Sequence, residues 1–191
     1  MKKMYLASAA ALALTAGGAL ADGHVNHVFA IGEGDFNWDS YTAYADAFDL
    51  SGQELTITGP WTGADAELVN SVIDYFESAT GATVQYSGSD NFEQDIVIAT
   101  QAGSAPNIAV FPQPGLASDM ASRGQLSPLP AGMGDWIAEN YGAGQSWVDL
   151  GTYGDANGDD QLYGFFYNVN VKSLVWYNPE NFEDASYDIP T

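Results

Sequence analysis

Between Glu54 and Ser122 the hydrophobic period switches repeatedly between two residues and about three and a half. No other feature limits the possible folds as much. Glu54-Leu55-Thr56-Ile57-Thr58 is strand-like, and Gly59-Pro60-Trp61-Thr62-Gly63 breaks it. A helix is expected from about Ala64 to Ala79, because Leu68, Val69, Val72, Ile73 and Phe76 share one face at helical spacing. Thr62, with Asp65 three residues on, is placed as its N-cap, and Gly81 as its stop. Thr83–Tyr86 reads as a second strand. Asp90-x-x-Glu93 resembles a capping box and opens a helix to about Gln101, with Ile96, Val97 and Ala99 as its apolar part. Ile108–Phe111 reads as a short buried strand, Pro112–Gly115 as a loop, and Leu116 to about Ser122 as a helix. This β-α-β-α-β-α order predicts an α/β fold with a mostly parallel sheet and right-handed helical crossovers. Ligands of such open sheets lie beyond the carboxyl ends of the strands. The loops of interest are therefore Gly59–Gly63, Ser87–Asn91 and Pro112–Gly115.

The flanks are less regular. Residues 1–21 open with Lys2 and Lys3, continue through an apolar, uncharged run from Tyr5 to Leu20, and end in the small-x-small box Ala19-Leu20-Ala21. That is the layout of a cleaved secretory signal, and the run is short for a bilayer span. Residues 22–52 form a polar, aromatic lead-in with one short helix expected around Tyr41–Phe48. His24 and His27 fall in a terminus expected to be mobile. After Gly132, Met133–Tyr141 reads as a short helix, Leu162–Asn168 as an aromatic strand, and Val171–Tyr177 as a further extended segment. Tyr187–Thr191 reads as a mid-chain linker, so further domains are expected beyond it.

Charge narrows the class of partner. The net charge is −21, and after loss of the leader only Arg123 and Lys172 oppose the 25 acids. Such a surface repels phosphate backbones and anionic lipid, so neither nucleic acid nor stable membrane insertion is expected. The absence of cysteine removes disulfides, thiolate metal sites and a cysteine nucleophile. Asp155-Ala156-Asn157-Gly158-Asp159-Asp160 has the oxygen spacing of a calcium loop. However, Asp160 stands where that loop needs glycine and Phe166 where it needs glutamate, so a hairpin turn is the better reading. No cofactor or metal is expected. No G-x-S-x-G occurs and no acid sits in a recognisable catalytic setting, although the many acids leave a carbohydrate-active enzyme or its binding module as an alternative.

The aromatics carry more information. A sugar presents apolar C–H faces and a polar equator, so its pocket needs flat rings together with carboxylates and amides. Trp61 lies in a Gly-Pro loop rather than on an apolar face, which favours a ligand role. Asp65, Asp90, Gln113 and Asn168 stand close to aromatics in sequence and are candidates for hydroxyls. Lys172 and Trp176 are further candidates. Phe92, Phe111 and Phe165 are expected in the core.

The motifs also follow a known order. Leu55 through Gly63, Phe92-Glu93-Gln94-Asp95-Ile96, Gly103-Ser104-Ala105-Pro106-Asn107-Ile108, Asp160 through Phe165 and Tyr167 through Pro179 resemble the extracellular solute-binding proteins of the maltose-binding class. The Gly-Pro-Trp and Phe-Pro-Gln-Pro-Gly loops look most like the α-glucoside-binding proteins of that class. The resemblance implies a two-lobed protein that closes on its ligand by a hinge. Residues 53–166 would form most of the first lobe, and residues 167–191 the hinge crossing and the start of the second. It further implies a periplasmic monomer that hands a sugar to the membrane subunits of an ABC permease and performs no chemistry.

Overall fold

The computed structural model describes residues 27–169 and 176–188. The expected leader, Lys172 and most of the extended segment after Asn168 lie outside the described residues. The chain divides into two compact units, one ending at Val110 and the other starting at Phe111.

The first unit contains α1 (Trp38–Ala47), β1 (Glu54–Gly59), α2 (Gly63–Thr80), β2 (Thr83–Gly88), α3 (Phe92–Gln101) and β3 (Ile108–Ala109). The strands form one parallel sheet in the order β2-β1-β3. Leu55 pairs with Val84, Ile57 with both Tyr86 and Ile108, and Gly59 with Gly88. The central strand β1 carries the β-branched run Thr56–Thr58, which suits a pleated strand paired on both edges. The helices cross between parallel strands, as the alternation predicts. β3 is shorter than expected, although Val110 N–H still donates to the Thr58 carbonyl at 2.8 Å. Before it, Asn107 clasps β1. Its Oδ1 accepts from Thr56 N–H and Oγ1–H, both at 2.9 Å, and its own N–H donates to Thr56 Oγ1 at 3.0 Å.

Gly81 ends α2 in the left-handed region, with φ 73°. A Cβ there would stand 2.6 Å from Ser51 Oγ, a side-chain end that can rotate away, so the positive φ is what calls for glycine. The apolar stripe of α2 is narrower than expected. Val69, Ile73 and Phe76 are half-buried, whereas Leu68 and Val72 are 63% and 69% exposed. The inward line runs i, i+4, i+7, and Val72 and Leu68 stand about 60° and 100° to one side of Val69. The core of this unit is Thr80, Ala82, Phe92 and Ile96, with α3 packed on β1.

The lead-in differs from expectation in two ways. Its helix starts at Trp38, where Asn37 Oδ1 accepts from Ser40 N–H. His27 is held in place: its ring stacks on Tyr75 at 4.3 Å and its Nε2 lies 3.0 Å from Ser78 Oγ. Tyr75 also exchanges two hydrogen bonds with the Phe29 backbone, which ties the lead-in to α2.

The second unit contains α4 (Pro114–Ser122), α5 (Met133–Asn140), α6 (Gln145–Leu150), β4 (Thr152–Gly154), β5 (Asp160–Leu162) and α7 (Pro179–Asp184). Ala117, Met120 and Ala121 of α4 and Ile137 of α5 are its buried hydrophobic residues among those described. The expected strand Leu162–Asn168 does not form: β5 covers Asp160–Leu162 opposite the three residues of β4, and beyond it Tyr163 N–H donates to the Gly151 carbonyl at 2.9 Å. Phe165 is 51% exposed rather than core, while Phe92 is buried as expected and Phe111 is half-buried. No helix among the described residues is long and apolar enough to cross a membrane.

Asp155–Asp159 is the turn of an antiparallel β4-β5 hairpin. Asp155 Oδ1 accepts from Asn157 N–H at 2.7 Å and Asp159 N–H at 3.0 Å. These backbone donors, Asp159 first, hold its carboxyl below the usual aspartate range. A depressed folded-state pKa supplies stability above the unfolded aspartate value, and that stability is lost as pH falls through the folded value. Asp155→Ala should therefore melt at a lower temperature than wild type at pH 7, and the gap should close on acidification below pH about 4. A gap of constant size across that range would show that the carboxylate does not act through its charge.

Candidate functional site

The sheet order points to a ligand edge before any side chain is considered. From β1 the chain moves to one side for β2 and returns to the other side for β3, so the connections diverge at β1. In open α/β sheets the ligand crevice opens at this point, outside the carboxyl ends of the strands. Here those ends are Gly59, Gly88 and Ala109.

Two loops of the first unit meet at that edge. Thr62 is the N-cap residue of α2 by backbone position, but its hydroxyl makes no capping bond. It donates instead to Asp90 Oδ1 at 2.9 Å, across 28 residues of sequence. Asp90 is therefore not the cap of α3. Asn91 holds that position, one residue later than expected. Ser89 organises the turn: its Oγ accepts from Asn91 N–H at 3.0 Å and donates to Asp95, and its N–H donates to the Gly59 carbonyl at 3.0 Å. The Thr62–Asp90 bond leaves one carboxylate oxygen of an exposed aspartate directed away from that contact, which suits a hydroxyl donor.

Trp61 is half-buried in the loop between them, its ring tilted 35° to that of Tyr86 at a centroid distance of 6.2 Å. Asp65 is exposed in the first turn of α2, where the helix N-terminus favours a negative charge. The structure thus gathers Trp61, Asp65 and Asp90 at one end of one sheet, and adds Thr62 and Tyr86, which sequence reasoning missed. Burial pushes the Tyr86 phenol above the ordinary tyrosine range, with its hydrogen bond to the Trp61 backbone pulling the other way. One signal for Tyr86 was present in the sequence: it precedes Gly88 by two residues in a strand, with Gly59 ending the neighbouring strand.

The remaining candidates belong to the second unit. Gln113 is the N-cap of α4, and its Oε1 accepts from Gly115 N–H at 2.6 Å. Asn168 is exposed after the hairpin. Trp176 is 87% exposed. Lys172 lies outside the described residues. Most of the later aromatics are paired locally: Tyr163 stacks on Tyr153 at 6.5 Å, and Phe166 meets Trp147 at 5.5 Å. That is the behaviour of packing residues rather than of a ligand platform. Among the described residues, no three His, Asp or Glu side chains are grouped so as to hold a metal ion.

The family model for bacterial extracellular solute-binding proteins matches residues 58–191, from the end of β1 through all the candidate residues. The chain belongs to that family. It is 52% identical to the "Alpha-glucosides-binding periplasmic protein AglE" of Rhizobium meliloti over 194 aligned residues, covering 100% of this chain and 42% of the relative. It is 37% identical to the "Osmoprotective compounds-binding protein GgtB" of Synechocystis sp. over 143 residues, covering 74% of this chain and 32% of that relative. The chain therefore spans less than half the length of either of these solute-binding relatives. The mixed α/β architecture with its parallel three-stranded sheet is that expected of a solute-binding protein, as the motif order implied.

Proposed function

We propose that this protein captures an α-glucoside or a similar oligosaccharide at the carboxyl end of the β2-β1-β3 sheet and delivers it to the membrane subunits of an ABC permease. The observation that carries this reading is the Thr62–Asp90 hydrogen bond, which ties the Trp61 loop to the loop after β2 at the carboxyl end of the sheet, in a solute-binding protein 52% identical to one named for α-glucosides. The indole of Trp61 stacks on a sugar ring, and Asp65 and Asp90 take hydroxyls. Gln113, Asn168, Lys172 and Trp176 remain ligand candidates on the strength of the resemblance. The protein is a periplasmic monomer, exported by cleavage after residue 21, and it binds without chemistry. Residues 53–166 supply most of one lobe and residues 167–191 the crossing to the next.

Calorimetry on the full-length protein with maltose, sucrose and trehalose tests this. A saturable one-to-one heat with at least one of them is expected. Heat with no neutral sugar would sink the proposal. The relative named for osmoprotective compounds makes a titration with a non-sugar osmoprotectant the informative parallel arm: heat there alone would reassign the ligand class. Release of reducing sugar by the purified protein would instead favour the enzyme reading.

A further inference from the structure

Tyr86 belongs to a different strand from the Trp61 loop, yet it makes both of the backbone hydrogen bonds described for Trp61. Its Oη accepts from Trp61 N–H at 3.0 Å and donates to the Trp61 carbonyl at 3.1 Å. The phenol reaches the loop by passing over Gly59, where a Cβ would stand 3.0 Å from Oη. From the other side the Trp61 carbonyl comes so close to Gly88 that a Cβ there would lie 1.7 Å from its oxygen. The register that pairs Gly59 with Gly88 thus removes two side chains, so that the phenol can reach the Trp61 backbone and the Trp61 carbonyl can lie close against Gly88.

We propose that Tyr86 is a positioning residue: it holds the backbone of Trp61 so that the indole is already in place when ligand arrives. This inference rests on the proposed role of Trp61 in sugar capture. A loop fixed in its bound geometry does not have to be ordered by the ligand, so the grip acts on affinity more than on stability. Tyr86→Phe keeps the ring packed and removes both hydrogen bonds. It should weaken sugar binding about tenfold, the effect of losing roughly one net hydrogen bond's worth of pre-organisation.

The test uses the full-length protein, with 5-fluorotryptophan incorporated and the Trp61 resonance assigned by Trp61→Phe. Wild type, Y86F, W61A and the double variant are titrated with maltose, sucrose and trehalose. Ile137→Val, a buried change in α5, serves as the stability control. Y86F is expected to bind about tenfold more weakly, to shift the Trp61 fluorine line in the free protein, and to cost nothing further in the W61A background. Ile137→Val is expected to lower the melting temperature while leaving the Kd alone. Wild-type affinity in Y86F, or an equal loss with and without the indole, overturns the positioning role. If wild type binds no neutral sugar, the proposed function fails, and the fluorine line alone judges Tyr86: shifted upholds it, unmoved overturns it. Should Y86F not fold, Gly88→Ala disturbs the same peptide from the opposite side and must weaken binding in its place.

Discussion

Phe92→Ala should lower the free energy of unfolding by about 3–5 kcal/mol, the largest stability effect expected of any single truncation in the first unit. Phe92 is 2% exposed and is the first residue of α3. Ile96, one turn later on the same face, is 3% exposed, and α3 packs on β1. Phe92 is the largest of the buried side chains of this unit, beside Ile96, Thr80 and Ala82, so its truncation removes the largest share of the core. Urea unfolding followed by far-ultraviolet dichroism reads the effect. The midpoint should fall with little change in slope, and Ile96→Val should fall by only about 0.5–1.5 kcal/mol. A loss below about 1 kcal/mol for Phe92→Ala would mean that this side chain is not the keystone of the unit.

The alternation that made the first unit legible is local. Strands β1 and β2, helices α2 and α3 and the glycine stop at Gly81 can be read because period and punctuation are written in neighbouring residues. The site was only half legible for the opposite reason. Trp61, Asp65 and Asp90 could be found by their positions after strands, but the bonds that connect the loops span 28 residues (Thr62 to Asp90) and 25 residues (Trp61 to Tyr86). Such pairs depend on register, and register follows from the ladder rather than from the composition of either strand. The same limit explains the misplaced cap. Asp90 fits a capping box by spacing alone, but a hydroxyl from another loop takes its carboxylate. In the second unit α6 and α7 have six residues each, too few for a helical period to show. For α7 the start signal was nonetheless present: Asn178 caps the helix by accepting from Glu180 N–H, and Pro179 occupies its first position.

Trp61→Ala should weaken sugar binding about 100-fold while leaving the melting temperature within a few degrees of wild type, because a central aromatic anchor is worth about 2 kcal/mol or more. The geometry makes this substitution unusually clean. Tyr86 hydrogen-bonds the Trp61 backbone N–H and carbonyl, so alanine at this position keeps both bonds to the loop and loses the tilted ring contact with Tyr86 along with the indole. The half-buried ring is not part of the fully buried set, so its removal opens an edge to water rather than a cavity in the core. What disappears is the flat apolar face, and the loss should be confined to ligand. Trp61→Phe should recover a substantial part of the affinity, because a smaller ring still offers a face to the sugar C–H groups. The comparison with Phe92→Ala separates the two roles. One variant loses stability and binds normally in its folded fraction; the other folds normally and does not hold sugar. If Trp61→Ala changed the Kd by less than about threefold, the loop after β1 would not be the sugar platform, and the carboxylates beside it would have to act without it.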